Sequence, residues 1–208
     1  MKDTLYLRRS PSGKLLFGPA PRKPKVGHTR TGNIQEHSFE SELLETSMRV
    51  WVYLPPWFSA ADPWRYPTLY LHDGQNVFDR CISAFGVEWQ VDEAAEELIS
   101  SDQMEPTIIV AIANTPERMN HYTPFVDHSL GGGQGELYAR FMTEELKPWI
   151  DGLYPTKQGP AYTGIVGSSL GALSALHLGW TRPQVFGLVA ALSPSLWWGE
   201  RKLITRLG

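Results

Sequence analysis

The sequence predicts an α/β domain built on a mostly parallel, twisted sheet that helices cover on both faces. Short and continuously apolar runs at residues 67–72, 107–113, 161–166 and 188–192 have the length and composition of strands buried on both faces. Segments with helical periodicity lie between these runs. This alternation of strands and helices is typical of a parallel sheet with crossover helices.

Three helices and a further pair of strands complete the predicted domain. The helices span residues 89–99, 135–150 and 170–178, where the sequence has helical character. Residues 34–40 and 48–54 are β-biased, are separated by a polar turn and are followed by two prolines. They therefore predict an antiparallel pair at one edge of the sheet.

Composition limits the class of protein. The 208 residues, of which 42% are hydrophobic and 20% charged, are enough for one substantial core. A net charge of −3 gives no reason to expect a nucleic acid or an anionic membrane as partner, so we expect a small-molecule substrate. Cys81, the single cysteine, excludes an intrachain disulfide and a cysteine-based metal cluster, and it fits a cytoplasmic location. We find neither a signal peptide nor an apolar run of about 18 residues that could span a bilayer.

Residues 1–33 are predicted to form a basic, proline-containing arm that precedes the α/β domain of residues 34–208. No acidic residue occurs between Thr4 and Gln35, whereas seven lysines and arginines do, interleaved with four prolines. We expect this arm to be solvated or loosely docked. Binding of a phosphate or of a partner is the alternative interpretation.

The strongest chemical signal is the segment Gly167-Ser168-Ser169-Leu170-Gly171, which has the pattern Gly-x-Ser-x-Gly. It lies between a predicted strand and a predicted helix. In this context the small neighbours allow a sharp turn that exposes the central hydroxyl above the sheet. Ser169 is therefore the candidate nucleophile.

An oxyanion formed at such a serine needs hydrogen-bond donors. The backbone N–H of Leu170, at the positive end of the helix dipole, is the first candidate. The loop after the first central strand supplies the second donor in this type of fold, which points to the N–H of Gly74 or Gln75. At the substrate rim, His72 and Asp73 are expected to tie down this loop by hydrogen bonds in preference to transferring protons.

Two further features lie near the expected site. Trp197 and Trp198 follow the last predicted strand, at the expected rim, where an indole ring could stack on a sugar or an aromatic acyl group. Plain packing is the alternative for both rings. The run Gly131-Gly132-Gly133 predicts a flexible loop before a helix, because the Lys-Ser/Thr of a phosphate-binding loop does not follow it.

Eight segments of the chain carry a resemblance to a known family: YLHDGQNVFD (70–79), WQVDE (89–93), NTPER (114–118), YTP (122–124), GGG (131–133), EELKPWID (144–151), GSSLG (167–171) and SPSLWW (193–198). Together they resemble the esterase family that includes the esterase D-like and enterochelin-esterase-like hydrolases. The resemblance covers residues 33–200 in the family's order. It implies an α/β-hydrolase fold, with Ser169 as nucleophile and Leu170 as oxyanion donor, and hydrolysis of carboxylic esters through an acyl-enzyme without metal or cofactor.

The family resemblance leaves the substrate open among short-chain acyl esters, acylated sugars, feruloyl esters, siderophore lactones and thioesters. It also implies a catalytic acid and then a histidine after the serine. Of the six histidines only His177 follows Ser169, and eight residues of helix would place it about 12 Å away along the axis, too far to activate the serine. His121 and His128, which flank the loop after the strand 107–113, are alternative bases.

These observations predict a C-terminally shortened α/β-hydrolase domain that carries a serine carboxylesterase site. A catalytically silent binding module on the same scaffold is the alternative, because no acid and histidine complete the triad. Asp151 and Glu200 are the nearest acids, and neither is assigned a role. An unpaired sheet edge would favour self-association, so we expect a homodimer or a larger assembly.

Overall fold

The computed structural model describes residues 5–9, 15–19, 27–61 and 63–207. The strands are β1 (Leu5–Arg9), β2 (Leu15–Pro19), β3 (Asn33–Ser41), β4 (Thr46–Leu54), β5 (Thr68–Leu71), β6 (Ile108–Ile112), β7 (Val126–Asp127), β8 (Gly131–Gly132), β9 (Thr163–Ser168) and β10 (Leu188–Leu192). The helices are α1 (Val91–Ser100), α2 (Arg118–Tyr122), α3 (Gly135–Arg140), α4 (Lys147–Leu153), α5 (Leu170–Thr181) and α6 (Trp198–Leu207). A π-helical segment, Phe141–Leu146, joins α3 to α4, and Gly74–Asn76 and Pro160–Tyr162 form 3₁₀ turns.

The predicted N-terminal arm falls partly outside the described residues. Within it, β1 and β2 pair in antiparallel fashion as a separate two-stranded ribbon. Residues 28–31 dock on the domain through contacts described below. Among the described helices, none combines the length and the apolar character that crossing a bilayer requires.

Six strands form the central sheet in the order β10-β9-β5-β6-β4-β3. The pairs β10/β9, β9/β5 and β5/β6 are parallel, and β6/β4 and β4/β3 are antiparallel. Helix α1 connects β5 to β6, α3 and α4 lie between β6 and β9, and α5 connects β9 to β10. The prediction of a mostly parallel sheet with an antiparallel pair at one edge is confirmed.

Two apolar cores lie on opposite faces of this sheet. Alternate residues of a strand point to opposite faces, and β4 shows this directly: Val50 and Val52 belong to one core, whereas Trp51 and Tyr53 belong to the other. Helices α3 to α5 cover the first core, and α1 covers the second. The predicted layers of helix, sheet and helix follow from this alternation.

Strand β10 differs from the prediction. Its apolar run indicated burial on both faces, but Leu188 is 56% exposed and Leu192 is 48% exposed. Within the described sheet β10 is the edge strand, hydrogen bonded to β9 alone, so its neighbours cover only part of it. This exposed apolar strip supports the expectation of self-association, which stays a prediction.

The three consecutive glycines also differ from the predicted flexible loop. Gly131 and Gly132 form β8, which pairs with β7 in a short antiparallel ribbon. A Cβ at Gly132 would overlap Thr123 Oγ1 and would lie 2.7 Å from Trp198 Cζ2. The second glycine is therefore part of a tightly packed contact, and the prediction of a loop at this point was wrong.

This packing gives a matched test, because Gly131 and Gly132 have nearly equal φ angles of +84° and +85°. Nothing lies within 4 Å of a Cβ at Gly131, so both alanine variants share the backbone penalty but only Gly132→Ala adds a clash. We expect Gly132→Ala to lower the free energy of unfolding by about 1–3 kcal/mol more than Gly131→Ala. Urea denaturation of the two variants measures the difference, and equal losses would contradict the packing described here.

Candidate active site

The turn from β9 into α5 places Ser169 at the carboxyl end of the sheet. Ser169 is exposed and has φ 57° and ψ −118°, a conformation unfavourable for a residue other than glycine. Two hydrogen bonds hold it, one to the last residue of β10 and one to the segment after this strand: the Ser169 N–H donates to the Leu192 carbonyl, and the Ser195 N–H donates to the Ser169 carbonyl, each at 3.1 Å. The serine side chain is therefore presented to solvent on a fixed backbone.

The two glycines of the motif are required by close approaches. A Cβ at Gly167 would overlap the carbonyl of Gly171, across the turn. A Cβ at Gly171 would lie 3.1 Å from His72 Cβ and 3.3 Å from Asp73 Oδ2. The first turn of α5 thus packs on the residues that follow β5, and the structure brings the serine motif and the predicted oxyanion loop together.

The predicted oxyanion loop forms a 3₁₀ turn over Gly74–Asn76. The N–H of Asn76 donates to the Asp73 carbonyl at 2.9 Å, and the N–H of Val77 donates to the Gly74 carbonyl at 3.2 Å. The first N–H groups of a helical turn have no acceptor within it, and here they belong to Gly74 and Gln75. Both are the N–H groups that the sequence pointed to as second oxyanion donors.

Asp73 is the anchor of this turn. It is 6% exposed, has φ 55°, and its carboxylate accepts two hydrogen bonds from Arg118: Nε to Oδ1 at 2.6 Å and Nη2 to Oδ2 at 2.8 Å. Asn114 Nδ2 donates to Oδ1 at 2.6 Å, and the Asp73 N–H donates to the Tyr122 hydroxyl at 3.1 Å. Burial disfavours the charge of Arg118, but the hydrogen bonds and the charge of Asp73 outweigh it and raise the pKa of the guanidinium.

His72 lies beneath the turn and is fully buried. Its ring stacks on Tyr122 with centroids 4.8 Å apart, and the Tyr138 hydroxyl lies 3.4 Å from Nδ1. Burial has the largest effect and lowers the pKa of His72, Asp73 raises it and Arg118 lowers it, and the net pKa is about 4. The imidazole is therefore neutral at pH 7 and serves as part of the support for the loop.

The predicted substrate rim is corrected by these placements. Trp198 is 2% exposed and its indole N–H donates to the Phe125 carbonyl at 2.7 Å, so this ring is a packing residue. His72 and Asp73 are buried as well. Trp197, which is 57% exposed, is the one residue of the four that stays a candidate for the rim.

The three histidines considered as possible bases, His177, His121 and His128, lie in different environments. His177 is 8% exposed on α5 and its Nε2 lies 3.7 Å from Glu136 Oε2, which is the placement of a packing residue. His121 is also buried, and its Nδ1 lies 3.3 Å from Thr115 Oγ1. Burial lowers the pKa of both imidazoles. His128 is exposed.

The two acids without an assigned role lie apart from each other. Asp151 accepts hydrogen bonds from Lys147 Nζ and Thr156 Oγ1, each at 2.7 Å, near the amino ends of the strands. Glu200 is exposed at the start of α6. Neither side chain has a hydrogen bond to Ser169 among the described contacts.

Ser169 Oγ lies 3.1 Å from Ser195 Oγ, and Ser195 is 5% exposed. Sequence reasoning assigned no role to Ser195, nor to Asn114, Arg118 and Tyr122, although all four lie in the segments that carry the family resemblance. No local pattern identifies them, because Asp73 and Arg118 are 45 residues apart in the chain.

The strand order and the strand–turn–helix at Ser169 define a domain of the α/β-hydrolase fold. The chain belongs to the family described as "Putative esterase", whose model matches residues 41–204. This match confirms the resemblance that the sequence motifs indicated.

Individual relatives agree with this assignment. The uncharacterised protein YjcH of Bacillus subtilis (strain 168) is 30% identical over 167 residues, which are 79% of this chain and 63% of that protein. The ferri-bacillibactin esterase BesA of the same organism is 29% identical over 153 residues, which are 66% of this chain and 50% of that protein. The chain therefore spans less than two thirds of the length of either relative.

A solved structure supports the fold. The IroE-like serine hydrolase from Shewanella oneidensis superimposes with a TM-score of 0.67 and 27% identity. The match covers 84% of this chain and 55% of that one. The predicted fold class is thus confirmed.

The buried His72 makes the free energy of unfolding depend on pH. Its folded-state pKa of about 4 lies below its ordinary value, so the stability it contributes is complete above pH of about 6.5 and is lost as the pH falls towards about 4. His72→Phe keeps an aromatic ring against Tyr122 and removes the proton-binding group. Between pH of about 7 and about 4.5, we expect wild type to lose about 2 kcal/mol more unfolding free energy than this variant.

Urea denaturation at a series of pH values measures this difference. His128→Gln changes an exposed histidine and should follow the wild-type pH profile. Parallel profiles for wild type and His72→Phe would show that folding does not lower the pKa of His72.

Proposed function

We propose that this chain carries the nucleophile and the oxyanion donors of a serine carboxylesterase. The observation that carries the proposal is the exposed Ser169 on a positive-φ turn at the start of the 12-residue helix α5. Ser169 Oγ attacks the ester carbonyl carbon, the alcohol leaves, and water then hydrolyses the acyl-enzyme. The strained turn and the packing of Gly167 and Gly171 support this role for Ser169.

The negative charge on the carbonyl oxygen would be stabilised by backbone donors. The N–H of Leu170 lies at the positive end of α5, and the N–H of Gly74 or Gln75 is the second donor. Arg118 has a positioning role in this proposal, because its ion pair with Asp73 holds the residue from which the 3₁₀ turn begins. Donors fixed in advance do not need to reorganise when the charge develops.

A general base is needed to take the proton from Ser169 Oγ. Among the described side chains, the hydrogen-bond partner of this atom is Ser195, and a neutral hydroxyl is a weak base. Serine attack without a base is slower by several orders of magnitude. This contact favours the second candidate function, a catalytically silent module that binds esters without turning them over.

The substrate we propose is a small carboxylic ester. Short-chain acyl esters are the simplest class, and the name of BesA adds esters such as ferri-bacillibactin. The exposed ring of Trp197 offers a surface on which an aromatic acyl group, such as a feruloyl or catechol group, can stack.

The domain organisation and the assembly are separate proposals. We propose that residues 34–208 act as one domain and that this domain self-associates through the exposed strand β10.

The two adjacent serines of the motif allow a matched test. A fluorophosphonate probe should label wild type and Ser168→Ala at residue 169, and labelling of Ser169→Ala should fall to background, as peptide mass spectrometry would show.

With p-nitrophenyl acetate, added imidazole should raise the wild-type rate over that of Ser169→Ala by at least about tenfold, because it supplies a base from solution.

The Ser169→Ala protein corrects for ester hydrolysis by imidazole itself. Equal rates in wild type and Ser169→Ala, with and without imidazole, would exclude Ser169 as the nucleophile. Absence of labelling, together with a rise in melting temperature on adding feruloyl or catechol esters, would favour the binding module.

A further inference from the structure

Three carboxylates meet at the start of α1, which follows the 3₁₀ turn over Gly74–Asn76 in the chain. One oxygen from each of Glu88, Asp92 and Glu93 lies within 4.8 Å of the others. Asp92 is fully buried, and the other two side chains are partly buried. Three acidic groups therefore share one small volume.

Each of these carboxylates keeps one buried oxygen without a hydrogen-bond partner among the described residues. The three atoms are Glu88 Oε2, Asp92 Oδ1 and Glu93 Oε2. An ionised carboxylate can only accept hydrogen bonds, so oxygens that face one another need a cation or a proton between them. The free-energy cost of an unpaired oxygen is largest for Asp92, because this residue is fully buried.

Two basic side chains near this cluster face a different carboxylate. His28 Nδ1 lies 2.5 Å and Arg30 Nε lies 2.9 Å from Asp79 Oδ2. Burial and the adjacent Glu93 raise the pKa of Asp92, and burial raises the pKa of Glu88. The dipole of α1 offsets only a fraction of one charge.

We propose that Glu88, Asp92 and Glu93 bind one hard divalent cation, and that Ca²⁺ is the ion that fits their all-oxygen donor set. Calcium takes carboxylate oxygens at about 2.3–2.6 Å, so two ligands of one ion lie at most about 5.2 Å apart. The 4.8 Å limit on the three oxygens is compatible with that distance. Water completes the coordination, and the +2 charge offsets most of the negative charge.

The ion would link three parts of the chain: residues 28–31, α1 and the 3₁₀ turn over Gly74–Asn76. Residues 28–31, here called the N-terminal strap, hold the outer oxygens of the cluster: the Thr29 hydroxyl donates to Glu88 Oε1, and the Thr31 N–H donates to Asp92 Oδ2 at 2.6 Å. The Trp89 N–H donates to the Asn76 carbonyl at 2.9 Å, which links the cluster to the 3₁₀ turn over Gly74–Asn76. The cation is thus a structural ion for the strap, for α1 and for this turn.

The test uses the whole chain after removal of metals by a chelator. CaCl₂ should raise the melting temperature by several degrees relative to KCl of equal ionic strength, with one Ca²⁺ bound per chain by calorimetry. Tb³⁺, excited through the nearby Trp89, should bind with luminescence that Ca²⁺ displaces. Asp92→Asn and Glu93→Gln should each weaken Ca²⁺ binding by at least about tenfold, because each removes a charged ligand.

Glu97→Gln is the matched control, since Glu97 is exposed about one turn further along α1. It should bind Ca²⁺ as wild type does. If Asp92→Asn does not fold, Glu93→Gln and the wild-type Tb³⁺ titration still decide the question. Wild type without Ca²⁺ or Tb³⁺ binding would overturn the proposal and show that the carboxyl groups share a proton. Equal Ca²⁺ affinity in wild type and Glu93→Gln would overturn it as well.

Discussion

The close approach of α5 to the end of β5 is the constraint on which the candidate site depends. Gly171 lies so near His72 and Asp73 that a side chain at this position would press on both. Gly167 allows the same helix to turn back sharply from β9. Because these contacts fix the start of α5 relative to the 3₁₀ turn, one packing arrangement sets both the orientation of Ser169 and the position of the proposed oxyanion donors.

A buried electrostatic layer supports this packing. Asp73 is withdrawn from solvent, and Arg118, Asn114 and Tyr122 satisfy its carboxylate and its N–H. Beneath it, His72 stacks on Tyr122 in its neutral form. A neutral imidazole in this position adds no second positive charge beside Arg118, so the ion pair stays balanced. Paired charges and packed rings from a few residues therefore hold the loop in place.

Features that depend on local sequence periodicity were predicted correctly from the sequence. The bounds of β10 were predicted as residues 188–192, and the serine motif was placed between a strand and a helix, because apolar runs and small residues are read within short windows. The exposure of β10 was not predictable in this way, since it depends on strand order. The pairing of Asp73 with Arg118 was missed for a similar reason: it joins two loops that only the fold brings together.

The buried acids of the chain show how differently the same group can be accommodated. Asp73 is paired with Arg118, and Asp79 is paired with Arg30 and lies against His28 Nδ1, so in both cases a buried carboxylate faces nitrogen atoms. Asp92 instead faces other carboxylates, and its Oδ1 has no hydrogen-bond partner among the described residues. Burying a charge is tolerated when it is paired, and unpaired burial costs several kcal/mol in typical proteins. The contrast within one molecule is the reason to look for a cation at Asp92 and not at Asp73 or Asp79.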